Sequence, residues 1–175
     1  IRRQRQMCIR DRHPQAQVIT FNFEVDERRR TYYNETGHWV HWYNYGRYPA
    51  YAIAVRRDAI LKANVTYSLL YGGGAKYSNG EDSLFLHDCL KKGLRIYADT
   101  ALLGKEVYRQ STWFSGYHEK FFLDRGVLYH DLYGCMAKLF SIRFLWSNRK
   151  EMLTTINFRT AYGLMKQGIR EGKLR

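Results

Sequence analysis

Apolar and polar side chains alternate along residues 17–25, the first patterned stretch of the chain. Ile19, Phe21 and Phe23 fall on one side of an extended segment, and Thr20 falls on the other. A period of two residues is typical of a β-strand with one apolar face. The pattern therefore predicts a strand over residues 17–25.

Eight tyrosines and tryptophans crowd residues 32–51. As a strand, this segment would place Trp39, His41, Tyr43 and Tyr45 on one face. The elements predicted after it are a strand at 51–55, a helix at 58–63, a strand at 66–70, a glycine-rich loop at 72–74, a helix at 81–92 that ends at Gly93, and a strand at 94–98.

The second half of the chain changes to helical periodicity. From residue 113 onward, one stripe of large apolar side chains falls within about 60° on a wheel of 100° per residue. Its members are Phe114, Tyr117, Phe121, Leu128 and Leu132. A basic helix is predicted at 149–172. Because strands come first and helices last, we expect an α/β fold with a helical C-terminal tail.

Composition and charge narrow the function classes. Hydrophobic residues make up 45% of 175, which excludes a disordered chain. The net charge is +13, but residues 13–142 carry only +3 of it. A nucleic-acid groove would concentrate charge on the folded body, so no nucleic-acid partner is expected. The three cysteines follow no CxxC spacing, which favours a reducing, cytoplasmic setting.

Residues 1–12 differ from everything that follows. They hold five arginines and one aspartate and show neither helical nor strand periodicity. The string resembles translated adapter sequence from shotgun sequencing, and we expect these residues to lie outside the fold. In that case the gene would extend further upstream. A basic arm that binds phosphates or anionic lipid is the alternative.

Asp82 is the residue with the clearest chemical signal. On the helix predicted at 81–92, Phe85, Leu86 and Cys89 form an apolar stripe, and Asp82 points along its middle. A partly desolvated carboxylate at a helix N-terminus stays ionised and can accept a proton, as a general base does. The alternative is an acid that satisfies the unpaired amides at the helix start, and Glu81 has the same alternative.

These residues also carry a resemblance. Gly80-Glu81-Asp82-Ser83-Leu84-Phe85-Leu86, followed by Cys89-Leu90, Gly93 and Ile96-Tyr97, resembles the C-terminal catalytic half of bacterial family 2 glycosyltransferases. The loop at 72–78 stands where the family's pre-helix loop lies, and residues 52–63 resemble its acceptor-side segment. The resemblance covers about residues 15–140.

The resemblance implies a partial GT-A (nucleotide-diphospho-sugar transferase) fold and transfer of a sugar, with inversion, from a nucleotide-sugar donor to a glycan or lipid-linked acceptor. Asp82 takes the place of the catalytic base, and Glu81, Tyr77 and Trp113 are expected to contact substrate. Core packing is the alternative for Trp113. The expected setting is polysaccharide biosynthesis in the bacterial cell envelope.

The resemblance also implies a divalent metal, Mg or Mn, held by an Asp-x-Asp motif. That motif is absent from the 175 residues. We therefore expect a truncated enzyme that is inactive without its donor-binding half. His38 and His41 would meet only on a helix, since a strand puts them on opposite faces, so we assign no metal ligands.

The sequence predicts three segments: a leader at 1–12, half of a catalytic domain at 13–142 and a basic helical tail at 143–175. The tail has net charge +6, interleaved with Phe144, Trp146, Phe158 and Tyr162. This pattern supports the alternative function, a peripheral membrane or polyanion-binding module at the inner face of the membrane. A solvated helix packed on the domain fits the same pattern.

Overall fold

The structure, a computed structural model, describes residues 11–26, 30–106 and 116–175. It divides into two compact units, the first drawn from residues 1–67 and 85–109 and the second from 68–84 and 110–175. These units group the residues differently from the three predicted segments. Of the predicted leader, residues 1–10 lie outside the described residues.

The first unit contains a four-stranded mixed sheet. Its strands are β1 (Val18–Glu24), β2 (His38–Val40), β3 (Ile53–Val55) and β4 (Ile96–Lys105), in the order β2-β4-β1-β3. The two central strands, β1 and β4, are parallel, and each edge strand is antiparallel to its neighbour. With the helices, this sheet confirms the α/β class.

Strand β1 confirms the alternating pattern but is buried on both faces. Ile19, Phe21 and Phe23 form part of an apolar cluster, while Thr20 and Asn22 on the other face are also inaccessible. Asn22 satisfies its amide by donating to the carbonyl oxygens of Asn34 and Thr100, at 2.9 and 3.1 Å. The Asn22 side chain can therefore be buried in this central strand because its amide is hydrogen-bonded.

The prediction of one long aromatic strand through Tyr45 is wrong. Strand β2 ends at Val40, and the chain turns because the Asn44 side chain accepts a hydrogen bond from the backbone N–H of His41 at 2.7 Å. This turn leaves Trp42 and Tyr43 exposed at 70% and 67%. The strand predicted at 66–70 is also wrong, since that segment is irregular.

Six α-helices have both ends in the described ranges: α1 (Arg57–Ala63), α2 (Glu81–Lys91), α3 (Glu119–Tyr133), α4 (Ala137–Ser147), α5 (Arg149–Met152) and α6 (Phe158–Lys173). Short 3-10 helices also lie at Ala50–Ala52 and Gly134–Met136. The helices predicted at 58–63 and 81–92 are confirmed, and Gly93, with φ +77°, follows α2 as predicted. The helix predicted at 149–172 is two helices, because Asn157 caps α6 by accepting a hydrogen bond from Thr160 N at 2.8 Å.

Helices α3 and α6 form the core of the second unit. A side chain at Gly126 would meet the backbone oxygen of Met165, and one at Gly168 would meet that of Leu123. Reciprocal glycines thus let the two backbones approach closely. The apolar face of α6, including Met165 and Ile169, is buried in this packing. No helix within the described ranges is long and apolar enough to cross a membrane.

Candidate functional site

The site begins where helix α2 starts, in the second unit. Gly80 precedes the helix with φ +109°, a conformation that residues with a side chain rarely adopt. A side chain there would also overlap Leu128, whose Cδ2 lies 2.4 Å from the position of an added Cβ. Glu81 and Asp82 then form the first turn of the helix.

Asp82 lies half-buried, on the face of α2 that continues into the buried Phe85, Leu86 and Cys89. Its Oδ1 atom is inaccessible to solvent. The inward orientation predicted from the helical wheel is confirmed. A carboxylate in this position has one edge away from solvent and lies at the helix end where the backbone dipole carries a partial positive charge.

Glu81 lies beside Gly72. A Cβ added at Gly72 would sit 3.0 Å from Glu81 Oε1, and Gly72 has φ +109°. The Glu81 carboxylate thus occupies space that any side chain at position 72 would need. The sequence pattern predicted a glycine-rich loop here but did not explain why glycine is needed. The close approach of the Glu81 carboxylate explains the glycine at position 72.

The loop before the helix, residues 70–77, is closed by a parallel bridge between Tyr71 and Tyr77. Gly72 N donates to Tyr77 O at 2.9 Å, and Tyr77 N donates to Leu70 O at 3.0 Å. Tyr71 and Tyr77 are buried here, with ring centroids 5.1 Å apart. Backbone pairing and ring packing give the loop a defined conformation.

Asp124 of α3 anchors the link between this loop and helix α2. It is 1% exposed, and its Oδ2 accepts hydrogen bonds from Ser78 N and Ser78 Oγ, both at 2.8 Å. Lys120 Nζ lies 2.6 Å from the same oxygen and also donates to the carbonyl oxygen of Lys76 at 2.9 Å. The buried carboxylate therefore fixes the backbone four residues before Asp82.

The far end of α6 fastens the loop at a second point. Tyr77 OH donates to Glu171 Oε1 at 2.8 Å, and Lys76 Nζ pairs with the same oxygen at 2.8 Å. Hydrogen bonds from Lys76 and Tyr77 hold the pKa of Glu171 below its ordinary value. Arg175 lies over the Tyr77 ring, 5.3 Å from its centroid.

A parallel set of contacts joins Tyr71 to α3. Tyr71 OH donates to Asp131 Oδ2 at 2.7 Å, and Arg175 donates to that oxygen at 2.5 Å. Burial raises the pKa of Asp131, but the hydrogen bonds from Tyr71 and Arg175 outweigh burial and leave this pKa below its ordinary value. Burial raises the pKa of Tyr71, as does its bond to Asp131. Tyr71 therefore donates as a neutral phenol.

The structure places the four predicted site residues differently. Glu81 and Asp82 stand together at the start of α2. Tyr77, expected to contact substrate, is 1% exposed and its hydroxyl is bonded to Glu171, so its described contacts are those of loop packing. Trp113 lies outside the described residues.

Sequence reasoning missed the residues that hold the loop. They are Asp124, Asp131, Glu171 and Arg175. Only the pair Lys120 and Asp124, four residues apart on one helix, carries a local signal. Tyr77 and Glu171 are 94 residues apart, a separation at which a single sequence shows no pairing.

The divalent metal that the resemblance implies has no candidate ligand cluster among the described residues. They contain no group of three or more His, Cys, Asp or Glu side chains arranged to hold a metal ion. His38 lies in β2 and its Nδ1 faces the carbonyl oxygen of Thr36 at 2.9 Å. We therefore assign no described residue to a metal.

The chain was compared with known protein families, curated proteins and solved structures. No protein-family model, no curated protein and no solved structure matches the chain.

Proposed function

We propose that the chain is the catalytic-base half of an inverting glycosyltransferase similar to family 2, with Asp82 as the general base. The observation that carries the proposal is the placement of Asp82. It lies in the first turn of α2, with one carboxylate oxygen desolvated, directly after a loop that buried contacts hold in place. A base needs both a defined position and an ionised carboxylate.

The proposed reaction is a single displacement. Asp82 accepts the proton of an acceptor hydroxyl, and the hydroxyl oxygen attacks the anomeric carbon of the nucleotide-sugar. The bond from that carbon to the donor diphosphate breaks, and the diphosphate leaves with the electron pair. Inversion follows because attack and departure occur on opposite faces of the sugar. We assign the stabilisation of the diphosphate to no residue of this chain.

The GT-A fold is part of the proposal. Its support in the first unit is a mixed sheet whose central strands β1 and β4 are parallel. The donor-binding half with its Asp-x-Asp motif would have to be supplied by sequence beyond the 175 residues. The glycan or lipid-linked acceptor follows from the same resemblance, and the cytoplasmic setting from the lack of CxxC spacing among the three cysteines.

The test uses an enzyme in which this chain is joined to a donor-binding half. Asp82→Asn keeps the size of the side chain and its hydrogen-bonding capacity at the helix start but removes the proton acceptor. We expect the transfer rate to fall by about 10² to 10⁴. Donor affinity and unfolding midpoint should change little, because the base acts on the acceptor.

Asp58→Asn is the matched control. Asp58 is also an acid in the first turn of a helix, α1, and it is exposed. If Asp82 only stabilises its helix start, both variants should lose about 0.3–1 kcal/mol, the interaction of the negative charge with the helix dipole, and keep their transfer rate. Transfer by the Asp82→Asn enzyme at the parental rate would exclude Asp82 as the base.

A further inference from the structure

Helix α4, in the second unit, exposes an apolar stripe that the proposed reaction does not use. Leu139, Ile142 and Trp146 are exposed at 60%, 42% and 63%, and Met136, just before the helix, at 49%. The three helical positions fall within about 60° of one another on a wheel of 100° per residue. They form one continuous strip along the helix.

The opposite face of α4 is the one that packs in the core. Ala137, Ser141 and Leu145 are buried, and Ser141 Oγ donates to the carbonyl oxygen of Ala137 at 2.8 Å. The exposed stripe is therefore not needed for packing α4 into the core. Large apolar side chains that a fold leaves in contiguous contact with water mark an interaction surface.

Cations border the stripe on both sides. Lys138 and Arg143 are exposed, each about 40° from an edge of the stripe on the helical wheel. Arg149 lies over the Trp146 ring, 4.8 Å from its centroid, and donates to the carbonyl oxygen of Trp146 at 2.8 Å. Lys150 is also exposed. An apolar strip with flanking cations matches the interface of an anionic bilayer.

The same charges disfavour a second copy of the chain as the occupant. Residues 137–152 carry four basic side chains and a single acidic one, Glu151, which already accepts a hydrogen bond from Tyr117 OH at 2.5 Å. Two such faces brought together would place like charges opposite one another. Nucleic acid would satisfy the cations but would leave Leu139 and Ile142 without apolar contact.

We propose that the α4 stripe, Leu139, Ile142 and Trp146 with Lys138 and Arg143, docks this chain on an anionic membrane surface. This assignment differs from the one predicted for the tail at 143–175. Phe144, Phe158 and Tyr162 pack against the core of the second unit, and of the four aromatic residues named in that prediction Trp146 alone is exposed. The apolar face of α6 packs within the core of the second unit, whereas the α4 stripe is exposed to solvent.

The test measures vesicle binding by the full 175-residue chain. Vesicles of phosphatidylcholine mixed with phosphatidylglycerol are compared with vesicles of phosphatidylcholine alone, by co-sedimentation and by the shift of tryptophan fluorescence. The chain should bind the anionic vesicles and not the neutral ones. Leu139→Gln with Trp146→Gln should lower the partition coefficient by about tenfold or more. Lys138→Gln with Arg143→Gln should lower it about fivefold per cation.

The chain offers matched controls on exposed positions of the other unit. They are Leu61→Gln on α1, Trp42→Gln in the turn after β2, and Arg57→Gln with Lys62→Gln, and all should leave binding unchanged. Circular dichroism establishes that each variant is folded. The fluorescence shift should disappear in Trp146→Gln and persist in Trp42→Gln.

Several results would overturn the proposal. One is an unmodified chain that fails to sediment with anionic vesicles, and another is equal sedimentation of the stripe variant and the unmodified chain. Sedimentation velocity supplies a third: a dimer that dissociates in the Leu139→Gln, Trp146→Gln variant would assign the stripe to a second copy. If the charge variant loses binding and the stripe variant keeps it, the surface binds polyanions through its cations alone and does not insert apolar side chains into a bilayer.

Discussion

The closest approach of helices α3 and α6 predicts opposite effects for two alanine substitutions on one helix. At Gly168 an added Cβ would lie 2.0 Å from the carbonyl oxygen of Leu123 and 2.9 Å from the backbone nitrogen of Val127. Ordinary contacts of a Cβ begin near 3.4 Å. Because both obstacles are backbone atoms, neither can move aside by changing a rotamer, and the helices themselves must separate.

The magnitude follows from two opposing terms. Overpacking a closely packed site costs typically about 1–3 kcal/mol, and a backbone obstacle places Gly168→Ala at the upper end or beyond it. Alanine regains about 1 kcal/mol from its higher helix propensity. We expect a net loss of about 2 kcal/mol. In a chain of this size that loss lowers the unfolding midpoint by about 4–8 °C.

Gly163→Ala is the internal comparison. Gly163 lies on the same helix, is exposed, and has nothing within 4 Å of an added Cβ. Only the propensity term remains, so this variant should be more stable by about 0.5–1 kcal/mol. Calorimetric scans of the two variants and the parent measure both shifts. Equal midpoints for Gly168→Ala and Gly163→Ala would refute the close packing of α3 on α6.

Three further predictions concern the loop and the thiols. Asp124→Ala leaves the N–H and hydroxyl of Ser78 without their acceptor, and denaturant titration should show a loss of about 2–3 kcal/mol. Because the pKa of Glu171 is lowered in the folded chain, its contribution to stability is present above about pH 4 and lost as pH falls through the folded value. Thermal scans against pH should therefore fall less steeply on the acid side in Glu171→Gln. Burial raises the pKa of the Cys89 thiol to about 12, so peptide mapping after maleimide treatment of the folded chain should find Cys135 modified and Cys89 intact.

Local pattern was sufficient for the elements whose signal lies within a few residues. The alternation of Ile19, Phe21 and Phe23 predicted β1, and the wheel of the 81–92 helix predicted that Asp82 faces inward. In both cases the periodicity of the chain itself defines the apolar side. Gly93 likewise marks the end of α2 through its own backbone conformation.

Local pattern failed where a side chain redirected the backbone. The aromatic run after Val40 has the composition of a strand, yet Asn44 turns the chain by capping the N–H of His41. The basic segment at 149–172 was predicted as a single helix, yet Asn157 starts a new helix within it. In each segment a local side-chain hydrogen bond stands at the boundary.

The sequence by itself determined which residues of each element are apolar, and the tertiary structure decided what covers them. Helices α4 and α6 both carry large apolar side chains among cations, but reciprocal glycines bring α6 onto α3 and bury Met165 and Ile169, whereas Leu139 and Trp146 stay exposed. The loop before Asp82 is held by Asp124, 46 residues from Ser78, and by Glu171, 94 residues from Tyr77. Such partners depend on how distant helices pack, and a periodicity of a few residues contains no information about that packing.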